Sequence, residues 1–278
     1  MIPCLFASDL HGSATRAATL LDVIARQRPR AVFLGGDLLA HGDDGDFLSD
    51  ILVPGLERLR GELGGHPEVF VVLGNDDRRA TAEPLMRAAA ERGIWHYLHG
   101  RRATLDRFTI LGYNCIPPSP FRLKDWERYD VSRFTDPGCV SPEEGMRTVA
   151  AEPADLRNAT IADDLARLAG PDELAATVCL FHVPPYQTAL DRAALDGRTI
   201  DHVPLDVHIG SIAVRRFIEQ RKPWLGLHGH VHESPRLTGR WMDQIGPTVL
   251  ISAAHDGPEL ALVRFDLERP DLATRRLL

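Results

Sequence analysis

Three histidines stand at alternate positions in the stretch GLHGHVHES, residues 226–234. His228, His230 and His232 follow an apolar run, which places them at the end of a predicted strand. Imidazole is a common transition-metal ligand in proteins, so this concentration of histidines indicates a metal site. Such a site needs further ligands from elsewhere in the chain.

Four other apolar runs also end in residues that can bind a metal. These residues are Asp9 and His11 in SDLHG, Asp37 in GGDLL, Asn75, Asp76 and Asp77 in GNDD, and His182 after TVCLF. Each motif is weak by itself, because Gly-Asp and Gly-Asn-Asp are also common in turns and helix caps. Their conjunction after five strands is a strong indication. Carboxylate, amide and imidazole together suit Mn, Fe, Zn or Co rather than calcium.

The N-terminal part of the chain alternates strand and helix patterns. Apolar runs predict strands at 2–8, 30–36 and 68–74, and helical spacing predicts helices at 13–27, 46–63 and 82–93. We expect Pro54 to kink the second of these helices. The alternation indicates βαβ units and a mostly parallel sheet, whose strands end at one edge. The predicted ligands would meet at that edge, where open α/β sheets bind ligands.

The second half of the chain is richer in strands. We predict a hairpin at 102–114, strands at 174–182, 222–229, 247–253 and 259–267, and helices at 157–170 and 211–221. Two stretches, about 115–145 and 184–209, lack clear periodicity and contain many proline, aspartate and aromatic residues. Irregular segments of this length are typical of functional lids. We therefore predict a single domain, residues 1–278, with two ordered, lid-like insertions.

The composition is that of an ordinary globular protein, with 278 residues, 44% hydrophobic and 26% charged. The net charge of −7 argues against nucleic acid as a partner, although the segment RLKDWER is locally basic. The four cysteines form no CxxC pair, which is typical of buried thiols in a reducing compartment. No apolar run is long enough to cross a membrane, and the N-terminus has no signal-peptide pattern. We expect a soluble, cytoplasmic protein.

The order of the motifs resembles that of the calcineurin-like metallophosphoesterase superfamily. From the N-terminus the motifs are Asp-x-His, Gly-Asp, Gly-Asn-x-Asp, His and Gly-His-x-His. The stretches HIGSIAVRRFIEQRKPWLGLHGHVHES and PPSPFRLKDWE also resemble a branch of predicted bacterial and archaeal phosphoesterases related to cyclic-nucleotide phosphodiesterases. The resemblance implies an α/β fold, a four-layer α/β/β/α sandwich of two mixed β-sheets flanked by helices. It also implies hydrolysis of phosphoesters.

The resemblance further implies two divalent metal ions, which would be Mn, Fe, Zn or Ni. Asp37 would bridge them, and the other ligands would be Asp9, His11 and His232 for one ion and Asn75, His182 and His230 for the other. A hydroxide bridging the metals would attack phosphorus in line. His228 is left over and is expected to be structural or to support a ligand. Gly229 is expected to let the backbone bend.

The chain departs from the superfamily pattern at Asp76, where many members carry a histidine that resembles a general acid. An aspartate close to two cations should be ionised, so it would be a poor proton donor and would repel a monoester dianion. This favours phosphodiesterase activity on a small, nucleotide-like substrate. Two alternatives remain: a phosphomonoesterase that uses a protonated Asp76/Asp77 pair, and a low-turnover module that binds a nucleotide or a partner. In a third interpretation, Asp76 is a turn residue without a chemical role.

Residues that would contact the substrate are less clearly marked. We consider Arg78, His208 and Tyr186, although Arg78 is equally typical of a solvated helix start. Aromatic residues of the first insertion would line the pocket, pack inside the protein or form the interface of a homodimer. The sequence identifies neither the physiological substrate nor the metals, and it gives no role to His255.

Overall fold

The computed structural model describes residues 1–42 and 44–278. Its strands are β1 (Pro3–Ala7), β2 (Ala31–Gly35), β3 (Glu68–Val72), β4 (His96–Tyr97), β5 (Arg101–Leu105), β6 (Phe108–Tyr113), β7 (Thr177–Phe181), β8 (Thr199–Ile200), β9 (Val203–Pro204), β10 (Leu225–His228), β11 (Met242–Ile245), β12 (Thr248–Ser252), β13 (Ala261–Asp266) and β14 (Arg269–Leu277). Its α-helices are α1 (Ala14–Gln27), α2 (Val53–Glu62), α3 (Arg79–Glu91), α4 (Pro153–Asn158), α5 (Ile161–Ala169), α6 (Ile212–Arg221) and α7 (Ser234–Thr238). Among these described helices, none has both the length and the apolar character needed to cross a bilayer.

Two six-stranded sheets form the centre of the fold. The first has the order β14-β13-β1-β2-β3-β4, in which β1 to β4 are parallel and β13 and β14 continue antiparallel. The second has the order β11-β12-β10-β7-β6-β5, in which the four inner strands are parallel and the two edge strands antiparallel. Both sheets are therefore mixed, as predicted.

Alternate residues of the inner strands face different apolar layers. Phe6 of β1 packs with Leu180 of β7 in a cluster between the two sheets. The neighbouring Leu5 belongs instead to a second cluster that includes Leu20 of α1. A strand buried on both faces needs apolar side chains at odd and even positions, which explains the uninterrupted apolar runs in the sequence. The layers confirm the predicted α/β/β/α sandwich.

The predicted helix at 46–63 is present in a different form. A π-helical segment, Phe47–Leu52, leads directly into α2. Pro54 is the second residue of α2, directly after the π-helical segment. The expected kink is therefore a change of helix type just before the proline.

The two irregular insertions are ordered. In the first, Lys124 and Glu127 form a fully buried ion pair, and Lys124 Nζ also donates to the Ser119 carbonyl at 2.8 Å. Trp126 Nε1 donates to the carbonyl of Asp77 at 2.6 Å, which joins this insertion to the GNDD turn. The second insertion contains the short β8–β9 hairpin. Both segments border the edge where the predicted ligands lie.

Candidate metal centre

The seven predicted metal ligands lie at the carboxyl ends of five parallel strands. Asp9 and His11 follow β1, Asp37 follows β2, Asn75 follows β3, His182 follows β7, and His230 and His232 follow β10. Because β1, β2 and β3 belong to one sheet and β7 and β10 to the other, the ligands come from both sheets. The structure thus brings together residues that are up to 223 positions apart.

The ligand atoms form two groups that share one residue. In the first group the donor atoms lie within 4.8 Å of one another and belong to Asp9, His11, Asp37 and His232. The second group, within the same limit, comprises Asp37, His182 and His230. The amide oxygen of Asn75 lies 3.3 Å from His182 Nε2 and so borders the second group. Asp37 stands between the two groups, in the position expected of a bridging carboxylate.

Several donor atoms face one another at short distance. His11 Nε2 lies 3.1 Å from His232 Nε2, which in turn lies 3.2 Å from Asp9 Oδ1. The other oxygen of Asp9, Oδ2, is buried and has no hydrogen-bond partner in the described residues. A buried carboxylate oxygen without a partner is costly unless a cation or proton compensates it. The donor set and this oxygen fit a divalent metal of the first transition row.

Four of the predicted ligands adopt a left-handed backbone conformation. The φ angles are 57° at Asp9, 46° at His11, 48° at Asp37 and 73° at His230. Such conformations cost non-glycine residues on the order of 1–3 kcal/mol and cluster at functional sites. Backbone hydrogen bonds hold them: the amide of Asp9 donates to Gly36, and that of His11 to Asp37. The sequence gives no sign of this strain.

Neighbouring groups fix the orientation of the histidines. His182 Nδ1 donates to the Gly35 carbonyl at 2.8 Å, so Nε2, which faces Asp37, is the nitrogen that a metal would bind after losing its proton. His228 is fully buried, and its Nδ1 donates to the carbonyls of Phe181 and Val183 on either side of His182. His228 therefore supports the strand end that carries His182, in agreement with the structural role expected for it.

Gly229 acts differently from the prediction. Its φ angle is not in the left-handed region, and the sharp bend lies at His230 instead. A Cβ at Gly229 would come within 2.0 Å of Ser8 Oγ and 2.8 Å of Asp9 Oδ2. The glycine is needed because β1 and the histidine turn approach each other too closely for a side chain.

The charges of the centre are tightly coupled. Burial raises the pKa of Asp37, but the neighbouring His182 charge outweighs it and holds this pKa below its usual range. The pKa of Asp9 is also lowered, because the hydrogen bond and the charge of His232 outweigh the effect of burying Asp9. In return, and against the effect of burial, Asp37 raises the pKa of His182 to about 10, and Asp9 raises that of His232 to about 9. A metal ion must displace these protons, since imidazole binds metals in its neutral form.

Asp76 and Asp77 occupy different environments. Asp76 is 31% exposed, its Oδ1 accepts from Asn75 Nδ2 at 2.8 Å, and its Oδ2 lies 3.7 Å from His11 Nδ1. Burial, and then the charge of Asp37, raise the pKa of Asp76 in the metal-free protein. Asp77 is fully buried, and burial followed by Asp37 raises its pKa to about 7. Its carboxylate accepts hydrogen bonds from three backbone amides, those of residues 38, 39 and 74.

The candidate substrate residues belong to two different segments. Arg78 follows the GNDD turn directly and precedes α3. Tyr186 and His208 come together in the second insertion, with ring centroids 6.0 Å apart. His208 Nδ1 lies 2.8 Å from Asp191 Oδ1, a fully buried carboxylate that belongs to none of the sequence motifs. Asp191 lies in a stretch without periodicity, and only its contact with His208 sets it apart from the other aspartates there.

The remaining aromatic residues of the first insertion differ in exposure. Trp126 and Tyr129 are buried and pack inside the protein, whereas Phe121 is 59% exposed. His255 Nε2 lies 3.0 Å from Glu259, beside the end of β12. The packing alternative therefore applies to Trp126 and Tyr129.

Comparison with known proteins gives one family and several related folds. The model of the family described as calcineurin-like phosphoesterase matches residues 2–234. No curated protein sequence matches the chain. TT1561 of Thermus thermophilus is similar in structure, with a TM-score of 0.60 at 14% identity over 99% of this chain and 98% of that chain. A dimetal phosphatase from Danio rerio has a TM-score of 0.51 at 12% identity over 94% and 92%. At these identities the structural likeness concerns the fold.

Proposed function

Because the chain belongs to the calcineurin-like phosphoesterase family, we propose that it is a phosphodiesterase with a dinuclear metal centre. The proposed substrate is a small, nucleotide-like phosphodiester. The observation that carries the proposal is the pair of donor groups that share Asp37. Phosphoester hydrolysis follows from the family, whereas the preference for diesters rests on Asp76.

In this proposal Asp9, His11, Asp37 and His232 would hold one ion, and Asp37, Asn75, His182 and His230 would hold the other. The unpartnered Oδ2 of Asp9 supports this assignment, because a cation would compensate it. Bound divalent ions supply Lewis-acid stabilisation of phosphoryl charge and activation of water. The protein fixes the ligands through the left-handed turns at β1, β2 and β10.

The exposed side of the centre is where the substrate would enter. His11 and His232 have side chains that are 25% and 32% exposed, while Asp9 and His182 are buried. Asp76 stands on the same open side. Its carboxylate would face the substrate and repel a dianion more strongly than a diester monoanion. We propose that Asp76 disfavours monoesters in this way.

Asp77 has a positioning role in this proposal. Its three backbone hydrogen bonds join the turn after β2 to the turn after β3, so it keeps Asp37 and Asn75 in place. Its carboxylate is directed at buried amides, which argues against a shared proton between Asp76 and Asp77. The monoesterase alternative therefore has less support than the diesterase.

We further propose that residues 1–278 act as one domain and that both insertions are lids of the centre. Hydrogen bonds support this: the first insertion reaches Asp77 through Trp126, and the second reaches Ser234 through Arg192. Arg78, Tyr186 and His208 would then contact the substrate. Three of the four cysteines are buried and all are free, which supports the reducing cytoplasm as location.

Paired hydrolysis of bis-p-nitrophenyl phosphate and p-nitrophenyl phosphate tests the proposal. The protein would be stripped of metal and refilled with Mn, Zn or Ni. We expect metal-dependent activity with the diester well above that with the monoester. Asp76→His should raise monoesterase activity, while Asp76→Asn separates the effect of charge from that of proton donation.

Opposite results would contradict specific parts of the proposal. A monoesterase rate above the diesterase rate would refute the role of Asp76. If the protein hydrolyses neither substrate with any of the three metals, the binding-module alternative is favoured. His202→Asn, an exposed histidine in the second insertion, serves as the matched control and should leave both rates unchanged.

A further inference from the structure

The second insertion contains a histidine held by a buried carboxylate. Asp191 is fully buried and accepts backbone hydrogen bonds from Gln187 and Thr188, both at 2.9 Å, and from Gly210 at 3.2 Å. Its remaining partner is His208 Nδ1 at 2.8 Å. Since the carboxylate only accepts here, His208 Nδ1 is the donor.

This hydrogen bond fixes the histidine tautomer. With its Nδ1 proton directed at Asp191, the second ring nitrogen of His208, Nε2, is left to exchange protons with another group. Within residues 1–42 and 44–278, Nε2 of His208 makes no hydrogen bond. The side chain is 27% exposed, so the ring is partly open to solvent.

Backbone hydrogen bonds tie the segment that carries the pair to the chain after two of the ligand histidines. His208 lies opposite Arg192 in an antiparallel bridge. The amide of Arg192 donates to Ser234 Oγ at 3.0 Å, two residues beyond His232. At its other end the insertion is tied to the chain after His182, since the amide of Ser211 donates to the Pro184 carbonyl at 2.9 Å. The insertion therefore spans the two strand ends that supply metal ligands.

One further contact restricts the backbone of His208, and another restricts its ring. Asp206 accepts from the His208 amide at 2.8 Å and from the Tyr186 hydroxyl at 2.5 Å. The Tyr186 ring lies edge-on to the His208 ring. The imidazole is thus held by Asp191 and Tyr186 and its backbone by Asp206, which is the preorganisation that proton transfer requires.

We propose that His208 is the proton donor to the leaving oxygen and that Asp191 is its positioning residue. This inference rests on the proposed phosphodiesterase function. It gives this chain a donor at a different place from the one that Asp76 occupies. The substrate class becomes more specific as well, because a donor is needed when the leaving group is a sugar alcohol rather than an acidic phenol.

The proton balance of the step is complete. Water supplies the new oxygen on phosphorus, the bond from phosphorus to the leaving oxygen breaks, and its electron pair stays on that oxygen. The step starts from the imidazolium form of His208, in which both ring nitrogens carry a proton. The oxygen takes the proton from Nε2 and departs as a neutral alcohol, while Nδ1 keeps its proton on Asp191. The imidazole then regains a proton from solvent, and the water gives up its protons to solvent.

His208→Asn tests the proposal with two substrates. The asparagine amide can still donate to Asp191, but no atom replaces Nε2. We expect kcat with a 3′,5′-cyclic nucleotide, whose leaving group is a ribose oxygen, to fall about 10²- to 10⁴-fold. With bis-p-nitrophenyl phosphate we expect kcat to change by less than about threefold, because its leaving group departs without a proton and so gains little from acid catalysis. His202→Asn is the control from the same insertion.

The outcomes separate this inference from the proposed function. If His208→Asn lowers kcat equally with both substrates, or with neither, the donor role is overturned. The proposed phosphodiesterase function is then unaffected. Wild-type protein that hydrolyses only the aryl diester would also overturn it. If the wild type hydrolyses neither diester, the proposed function is refuted, and the donor role of His208 is refuted as well. Calorimetric Mn²⁺ titration should give the same stoichiometry for His208→Asn and wild type.

A second readout concerns Asp191 directly. In protein with ¹⁵N-labelled histidine, the neutral form of His208 is expected to carry its proton on Nδ1. Asp191→Asn should shift the ring resonances toward the other tautomer. Unchanged resonances in this folded variant would contradict the positioning role.

Discussion

His228 offers a prediction that can be worked out from the structure. It is fully buried, its Nδ1 donates to two carbonyls at 3.0 and 3.1 Å, and its Nε2 has no partner in the described residues. Burial lowers the pKa of His228 to about 4. The folded protein therefore holds this side chain neutral at a pH where an unfolded chain would protonate it.

The size of the effect follows from linkage. An unfolded histidine has a pKa of about 6.5, so between about pH 4 and 6.5 the unfolded chain binds the additional proton. The contribution of neutral His228 is present above that range and is lost as the pH falls through it. At about 1.4 kcal/mol for each unit of pKa, the loss is about 3 kcal/mol.

His228→Asn removes this titration. The asparagine amide can donate to the same carbonyls, so the variant should fold. We expect the wild type to lose about 3 kcal/mol relative to the variant as the pH falls from about 7 to about 4. Urea unfolding of the metal-stripped proteins at several pH values measures this difference. A difference that stays constant over the whole range would refute the reasoning, and His202→Asn should follow the wild type throughout.

Further predictions concern the surroundings of the centre. Gly229→Ala should weaken Mn²⁺ binding about 10- to 100-fold by displacing ligands. Gly61→Ala, in open space on α2, is the control and should leave Mn²⁺ affinity unchanged. Calorimetric titration compares the two variants. Mn²⁺ affinity should rise with pH up to about 10, because the protons of His182 and His232 must leave. A constant affinity from pH 6 to pH 9 would contradict this. Lys124→Met should destabilise the protein by about 3–5 kcal/mol by leaving its carboxylate partner buried and unpaired, and an unchanged midpoint in urea unfolding would contradict this.

Much of the fold could be predicted because its inner strands are buried on both faces. Uninterrupted apolar runs such as that of β7 identify them without a partner in view. The ligands could be located because parallel strands end at one edge, a rule of topology. The edge strand β14, with the polar sequence RPDLATRRL, was not predicted, since only pairing with β13 makes it a strand.

Other features of the site depend on contacts between distant segments. Asp191 lies in an insertion without periodicity, and its importance appears only when His208 is seen beside it. The bend at His230 and the close approach at Gly229 follow from the packing of one sheet against the other. No local pattern in the sequence reports such contacts.

The shared position of Asp37 is tested most directly by counting and identifying bound ions. Metal-stripped protein titrated with Mn²⁺ should bind two ions per chain, and its electron paramagnetic resonance spectrum should show a spin-coupled pair. Asp37→Asn should lose the coupling. A single, magnetically isolated Mn²⁺ in the wild type would contradict the dinuclear centre.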